Sequence, residues 1–388
     1  MKSITLLSYP SDQSNLLSLC EHSSRYELYF AGRFRLLDFI LSMGLSLGVS
    51  EITLLEPDFY RTLEDFAAEE NTKLTFPPIT VCHVEKAPTI PGPYVQKLAE
   101  DAETEYFLVI NGDNPLIGDL RELIHESLEE GQRKKVISLG FKESPEHYTH
   151  ILLIHKEELL ESIRSLDGEI TSYYQLFQEI IKTVKQDKKP GKQDLHGYFR
   201  RVSNIVEYFN ANMDMTKHLR ELLTLIHLTP LGNLIPVSRK DGVIDKSASV
   251  LNSILSDGCK IYGEVTNSIL FPNVTVGRKS RVENSILLPN TNIGEKVSMT
   301  QCVVDETFDE DMIKKDILSI SEESVIGRED MFCRNTIYPN AIYNGITLIG
   351  PNCSLPKKIK VGAGCYVKGG SNKSLLRRND VIKDCGTV

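Results

Sequence analysis

The sequence predicts two architectures in series: an α/β domain over residues 1–235 and a parallel β-helix over residues 236–388. Three observations carry this reading. Apolar runs alternate with helix-like stretches up to about residue 240; a tetrad, Asn-Ser-Ile-Leu, then recurs at 252–255, 267–270 and 284–287; and helix signals fade over that same region.

In the first part, strand-like runs at 4–7, 51–55, 106–110 and 151–154 alternate with helix-like stretches at 35–47, 120–130, 157–165 and 173–182. Alternation of this kind predicts a parallel sheet wrapped by helices. In the second part, a degenerate tetrad, Gln301-Cys302-Val303-Val304, follows 17 positions after the third copy, and Val276-Gly277 and Ile293-Gly294 are also 17 apart. Ile326-Gly327, Ile349-Gly350 and Val361-Gly362 continue the pattern less regularly. A fixed period of 15 to 17 residues fits one β-helix coil of three short strands, stacked so that apolar residues bury a common axis. A β-sandwich, the alternative, gives no such period. Asn and Gly suit the corners, where positive φ is accessible to them. Cys259, Cys302, Cys333, Cys353 and Cys365 read as small core or ladder residues. The acidic stretch 305–311 breaks the period and predicts a loop excursion or a change of coil register.

Composition narrows the function classes. A net charge of −9 weighs against a nucleic-acid partner, because such affinity rests on neutralising phosphates. The basic run at 182–192 reads as a solvated loop. The opening residues are too polar for a signal peptide, with Pro10, Asp12 and Gln13 interrupting the apolar stretch. No segment approaches the ~18 apolar residues of a membrane span. Eight cysteines without CxxC spacing signal neither zinc nor a redox motif, so a cytoplasmic chain with reduced thiols is expected. All nine histidines lie at or before His227. Acyl transfer, common on hexapeptide β-helices, needs a general base, and the repeat region has no histidine to supply one.

Two motifs carry chemistry. Phe30-Ala31-Gly32-Arg33-Phe34-Arg35-Leu36-Leu37-Asp38-Phe39-Ile40-Leu41-Ser42 is long and specific. Gly197-Tyr198-Phe199-Arg200-Arg201-Val202-Ser203-Asn204 runs on to Tyr208-Phe209-Asn210-Ala211-Asn212-Met213-Asp214. Together with the β-helix repeat they resemble bacterial ADP-glucose pyrophosphorylase (glucose-1-phosphate adenylyltransferase), in particular its non-catalytic, regulatory-type subunits of Gram-positive bacteria. The first motif is similar to that family's Phe-Gly-Gly-x-Tyr-Arg-Leu-Ile-Asp-Phe-x-Leu-Ser, the second to Gly-Tyr-Trp-x-Asp-Val-Gly-Thr. The resemblance is patchy between about residues 61 and 98. It implies a nucleotidyltransferase-like (Rossmann-like) α/β domain followed by a left-handed β-helix. The reaction it implies is ATP plus glucose 1-phosphate giving ADP-glucose and pyrophosphate, in glycogen synthesis.

The resemblance also marks where chemistry is missing. The family's glycine-rich loop, roughly Gly-Gly-x-Gly-Thr-Arg-Leu-x-Pro-Leu-Thr, is replaced by Ser8-Tyr9-Pro10-Ser11-Asp12-Gln13-Ser14-Asn15-Leu16-Leu17. That stretch has no glycine and no cation, and Pro10 lacks an amide donor. Arg201 stands where the family places a magnesium-binding Asp. A guanidinium offers only donors and a positive charge, whereas magnesium needs oxygen ligands. Asp113, in Asn111-Gly112-Asp113, matches the other metal-ligand position, and reads either as an ordinary turn residue or as a vestigial ligand that Arg201 pairs with. Arg33, Arg35 and Asp38 read either as a phosphate-recognising group or as an Arg35–Asp38 pair at a helix start. Lys368, Lys373, Arg377 and Arg378 read as a solvated end of the β-helix or as an effector or subunit contact.

The expected function is a regulatory, catalytically deficient subunit with no cofactor of its own. Its expected partner is a catalytic pyrophosphorylase subunit that holds Mg²⁺, joined in a mixed tetramer, with a phosphorylated metabolite as effector. The alternatives are an active sugar-phosphate nucleotidyltransferase with a rebuilt phosphate loop and a metabolite-sensing scaffold.

Overall fold

A computed structural model describes residues 3–11, 15–58, 60–73, 76–83, 91–141, 144–167, 169–185, 193–217, 241–371, 376–377 and 380–388. The expected domain boundary at 235/236, and most of the basic run at 182–192, lie outside the described residues.

The first domain is a sheet of seven strands: β1 (Ile4–Tyr9), β2 (Glu51–Glu56), β3 (Ile79–His83), β4 (Tyr106–Asn111), β5 (Lys134–Phe141), β6 (Ser144–His155) and β7 (Gln193–Leu195). Their order is β7-β5-β6-β4-β1-β2-β3. The sheet is mixed rather than wholly parallel, because β6 runs antiparallel to both β4 and β5. The β5–β6 hairpin needs only a short connection, whereas a parallel pair needs a long crossover.

Helices cover both faces. On one side α1 (Leu36–Leu47), α2 (Arg61–Lys73) and α4 (Arg121–Glu129) bury Leu37, Ile40, Leu63 and Ile124 against Leu6, Ile52 and Leu108 of the sheet. On the other, α3 (Pro91–Asp101), α5 (Lys156–Arg164) and α6 (Tyr173–Lys185) bury Val95, Leu159 and Phe177 against Leu7, Phe107 and Leu152. The start of α1 shows the local logic: Asp38 accepts from the Arg35 amide at 2.7 Å, and Gly48 ends the helix at φ 61°, the left-handed cap that glycine adopts without a Cβ penalty.

The second domain stacks three parallel sheets of four, seven and six strands into a β-helix. The tetrad explains itself there. Asn252, Asn267 and Asn284 turn the corner at φ 47°, 45° and 44°, and Gln301 does so at 58°. The serines form a ladder: Ser253, Ser268 and Ser285 each accept from the amide one coil on, belonging to Ser268, Ser285 and Cys302. Leu270, Leu287 and Val304 point into the coil axis. Ile269, Ile286 and Val303 point outward and are nonetheless buried, because they join Leu16, Phe30, Phe34 and Phe209 in a core shared by both domains.

The stretch after Val304 is an excursion containing a short helix, α7 (Glu310–Lys314), capped by the Asp309 side chain. Stacking resumes at Ile320, which bridges Ile293 and Leu355. One cysteine expectation is corrected: Cys333 is not a reduced ladder residue but is joined to Cys385 by a disulfide, while Cys259, Cys302, Cys353 and Cys365 are free and buried as expected. The spacing gave no sign of this pair because its members are 52 positions apart and meet only where the irregular segment around Asn335 folds onto the last coil.

Candidate functional site

In an open α/β sheet, ligands bind beyond the carboxyl ends of the strands where the connections change direction. Here the chain leaves β1 toward β2 and β3, then returns to place β4 on β1's other edge. The crevice lies between the ends of β1 and β4, where the stretch after β1 and Asp113 meet. Gly112 allows the two strands to close up: a Cβ at that position would sit 2.0 Å from Ser8 Oγ.

The chain fills this crevice with its own groups. Asp113 is fully buried. Its Oδ1 accepts from Ser11 Oγ at 2.9 Å and Asn114 Nδ2 at 3.0 Å, and its Oδ2 accepts from the Ser11 amide at 2.8 Å. Arg25 Nε lies 2.6 Å from the same Oδ2, a close charge contact rather than an aligned hydrogen bond. Arg25 Nη2 also donates to the Val202 carbonyl at 2.7 Å, and the Val202 amide donates to Asn114 Oδ1 at 2.7 Å. A third tie runs from the Asn15 amide to the Ser203 carbonyl at 2.9 Å. The loop after β1 and the segment around Val202 are thereby fastened to each other across the end of the sheet.

A second carboxyl borders this cluster. Glu56, at the end of β2, accepts from Ser24 Oγ at 2.5 Å. Burial pushes its carboxyl up to about 7, opposed by the Ser24 hydrogen bond and consistent with the cost of charging a buried acid.

The other expected residues are dispersed. Arg201 is not the partner of Asp113. It is exposed, with its guanidinium 6.0 Å above the Tyr174 ring. Arg35 pairs with Asp38 at 3.5 Å and stacks on the Phe66 ring at 4.4 Å, while Arg33 is exposed. The helix-start reading of Arg35 and Asp38 therefore matches the geometry. Gly32, at φ 83°, forms a tight turn pressed against the β-helix, where Ser256 Oγ donates to the Gly32 carbonyl. Lys368 is exposed beside an interdomain cleft of about 730 Å³, which His22, Phe308 and Tyr366 also line. Arg377 is exposed, its amide donating to Asp380; Lys373 and Arg378 lie outside the described residues.

A divalent cation does not fit the residues present. Asp113 is engaged by three hydrogen-bond donors and the Arg25 guanidinium, and Arg201 stands where the resemblance places a second carboxylate. Among the described residues, no group of three or more His, Cys, Asp or Glu side chains could hold a metal ion. The sequence reading missed Arg25, Ser11, Asn114 and Glu56 as members of this cluster. Arg25 had a signal, being the sole cation between Lys2 and Arg33.

Residues 239–330 match the family model described as GlmU-like, C-terminal hexapeptide, which together with the stacked parallel sheets makes the second domain a left-handed β-helix. The Bacillus subtilis (strain 168) glucose-1-phosphate adenylyltransferase is 23% identical over 312 residues, covering 69% of this chain and 81% of that protein. The Halalkalibacterium halodurans enzyme of the same name is 26% identical over 304 residues, covering 66% and 77%. The Acetivibrio thermocellus one is 23% identical over 218 residues, spanning 56% of this chain and about half, 48%, of that protein. Each of these relatives is named glucose-1-phosphate adenylyltransferase. The mixed α/β sheet followed by a hexapeptide β-helix is in keeping with that relationship. Among the described residues, no helix is long and apolar enough to cross a membrane.

Proposed function

We propose that this chain is a regulatory, catalytically deficient subunit of a glucose-1-phosphate adenylyltransferase, acting in glycogen synthesis beside a catalytic chain that binds Mg²⁺. One observation carries the reading: the crevice at the β1–β4 switch point is occupied by the chain's own Ser11, Asn114 and Arg25 on Asp113. Nucleotidyl transfer needs that space for the triphosphate, and needs a metal to neutralise developing charge. Arg25 neutralises Asp113 but leaves no open coordination position. The contribution of such a chain is its interfaces, through which its binding shifts the affinity or effector response of the catalytic partner.

The test is ADP-glucose formation by the purified chain, alone and titrated into a catalytic adenylyltransferase subunit. The reading expects no turnover alone and a saturable change in the partner's rate or substrate affinity. Metal-dependent turnover by the chain alone would favour an active nucleotidyltransferase with a rebuilt loop. Silence in both arms would favour a scaffold unconnected with that reaction.

A further inference from the structure

We propose that Cys333 and Cys385 form a reversible redox site that clasps the excursion between Ile326 and Thr347 to the last coil of the β-helix and opens to dithiol reductants. The inference stands apart from the adenylyltransferase reading.

The excursion links two places. One end reaches the core shared by the domains, where Ala341, Ile342 and Ile346 are buried with Leu16, Leu19 and Phe209. The other end lies on the final coil, where the two cysteine Cα atoms are 6.2 Å apart, within the usual bridging range. Polar contacts flank the bridge. Asn335 Nδ2 donates to the Gly364 and Gly386 carbonyls, each at 3.0 Å, and the Thr336 amide donates to the Cys385 carbonyl at 3.0 Å. The final coil stacks on the coil before it through Lys360↔Val381 and Val361↔Ile382 and a Tyr366↔Thr387 bridge, and the Cys385 amide donates to the Ala363 carbonyl at 2.7 Å.

Accessibility singles this pair out. Cys333 and Cys385 are half-buried, and the neighbouring Phe332 is 82% exposed. Cys82, Cys259, Cys302, Cys353 and Cys365 are buried. Burial pushes the thiols of Cys302 and Cys353 up to about 12 and that of Cys259 up to about 11. Half-buried Cys20 is likewise pushed up to about 12 by desolvation. Those thiols remain protonated near neutral pH, and the thiolate is the reactive form.

Opening follows ordinary exchange chemistry. One thiolate of the dithiol attacks a bridge sulfur, the Cys333–Cys385 bond breaks, and a mixed disulfide forms. The reagent's second thiol then displaces the protein sulfur. The dithiol leaves as a cyclic disulfide, having supplied two electrons, and both cysteines become thiols. A disulfide oxidant runs the exchange in reverse. Because Asn335 and the buried Ala341–Ile346 contacts persist, opening loosens the final coil and the exposed part of the excursion rather than the whole domain.

The experiment uses the full chain cycled between oxidised glutathione and dithiothreitol without denaturant. Peptide mapping after alkylation is expected to gain two labels on reduction, at Cys333 and Cys385. Limited proteolysis between 328 and 340 or within 380–388 is expected to speed up at least tenfold on reduction and to slow again on reoxidation. The Cys333→Ser/Cys385→Ser variant is expected to cut at the fast rate under both conditions. Failure to recover a linked 333–385 peptide from the oxidised chain overturns the proposal. So does an unchanged cleavage rate across the wild-type redox cycle, a readout that needs no variant to fold.

Discussion

Arg25 and Asp113 form an ion pair at 2.6 Å in which the carboxylate is fully buried and the guanidinium side chain is 11% exposed. It sits at the one place in the α/β domain where the sheet topology offers a ligand site. A buried charge is tolerable only when paired and hydrogen-bonded, so the pair must be read together with Ser11, Asn114 and Val202.

Removing one partner should therefore cost more than removing both. Arg25→Ala is expected to destabilise the chain by about 3–5 kcal/mol, because it leaves Asp113 uncompensated. Arg25→Ala/Asp113→Asn is expected to recover part of that loss. Urea denaturation of the two variants checks this, and a cost below about 1 kcal/mol for the single change would mean that the pair does not hold the crevice closed.

Arg201 should behave in the opposite way. It is exposed, with its guanidinium 6.0 Å over the Tyr174 ring, so Arg201→Asp should shift stability by about 0.5 kcal/mol or less, as exposed substitutions usually do. It should also restore no ADP-glucose synthesis, since Asp113 stays engaged by Ser11 and Arg25. Thermal melts and a product assay read the two parts separately, and any gained activity would refute the closed-crevice argument.

The alternating roles within the tetrad predict two distinct failures. Ile286→Ala and Leu287→Ala each remove a fully buried side chain and should each cost about 2–5 kcal/mol. Their consequences differ in place. Leu287 lies in the coil axis, so its loss should expose the β-helix to protease. Ile286 faces the first domain, so Ile286→Asp should open the core shared by the domains, making sites near Leu19 and Ala341 cleavable while the coil axis stays protected. Mapping the cleavage sites distinguishes the two.

Stability should fall as pH rises through neutrality, owing in part to Asp305. This residue is 5% exposed at the domain junction, and burial pushes its carboxyl from 3.8 up to about 7, with Glu306 and Glu21 adding to the rise. The folded state then binds a proton that the unfolded chain has released. The stabilising contribution is full below about pH 4 and is lost as pH climbs through about 7, a change of about 4 kcal/mol at one pKa unit per 1.36 kcal/mol. Asp305→Asn should leave the melting temperature near wild type at or below about pH 4 and raise it relative to wild type by a margin that grows up to about pH 7 and is flat above it. Glu56→Gln should show the same direction. A gap that does not widen with pH would contradict the assignment.

Much of this protein is legible in its sequence because local rules suffice for it. The tetrad period forces stacked coils, since each coil alone has too little apolar surface to bury. The helices at 36–47, 121–129, 156–164 and 173–185 follow from apolar spacing, and the lack of glycine in the stretch after β1 is read directly from the sequence. α2, α3 and β3 fell in the stretch where the resemblance is patchy, and the antiparallel β6 was hidden because strand direction leaves no mark on composition.

What the tertiary structure alone decided is which groups meet. Ile269 and Leu270 are equivalent by hydropathy, and only the packing of a second domain makes one an interdomain contact and the other a coil-axis residue. Arg201 drew attention by replacing a carboxylate, yet the cation that reaches Asp113 is Arg25, brought there by the turn after β1. Cys333 and Cys385 meet because the excursion after Ile326 folds back onto the last coil. Periodicity is a local property and can be read along the chain. Pairing of charges and sulfurs depends on distances across the fold, which the order of residues does not state.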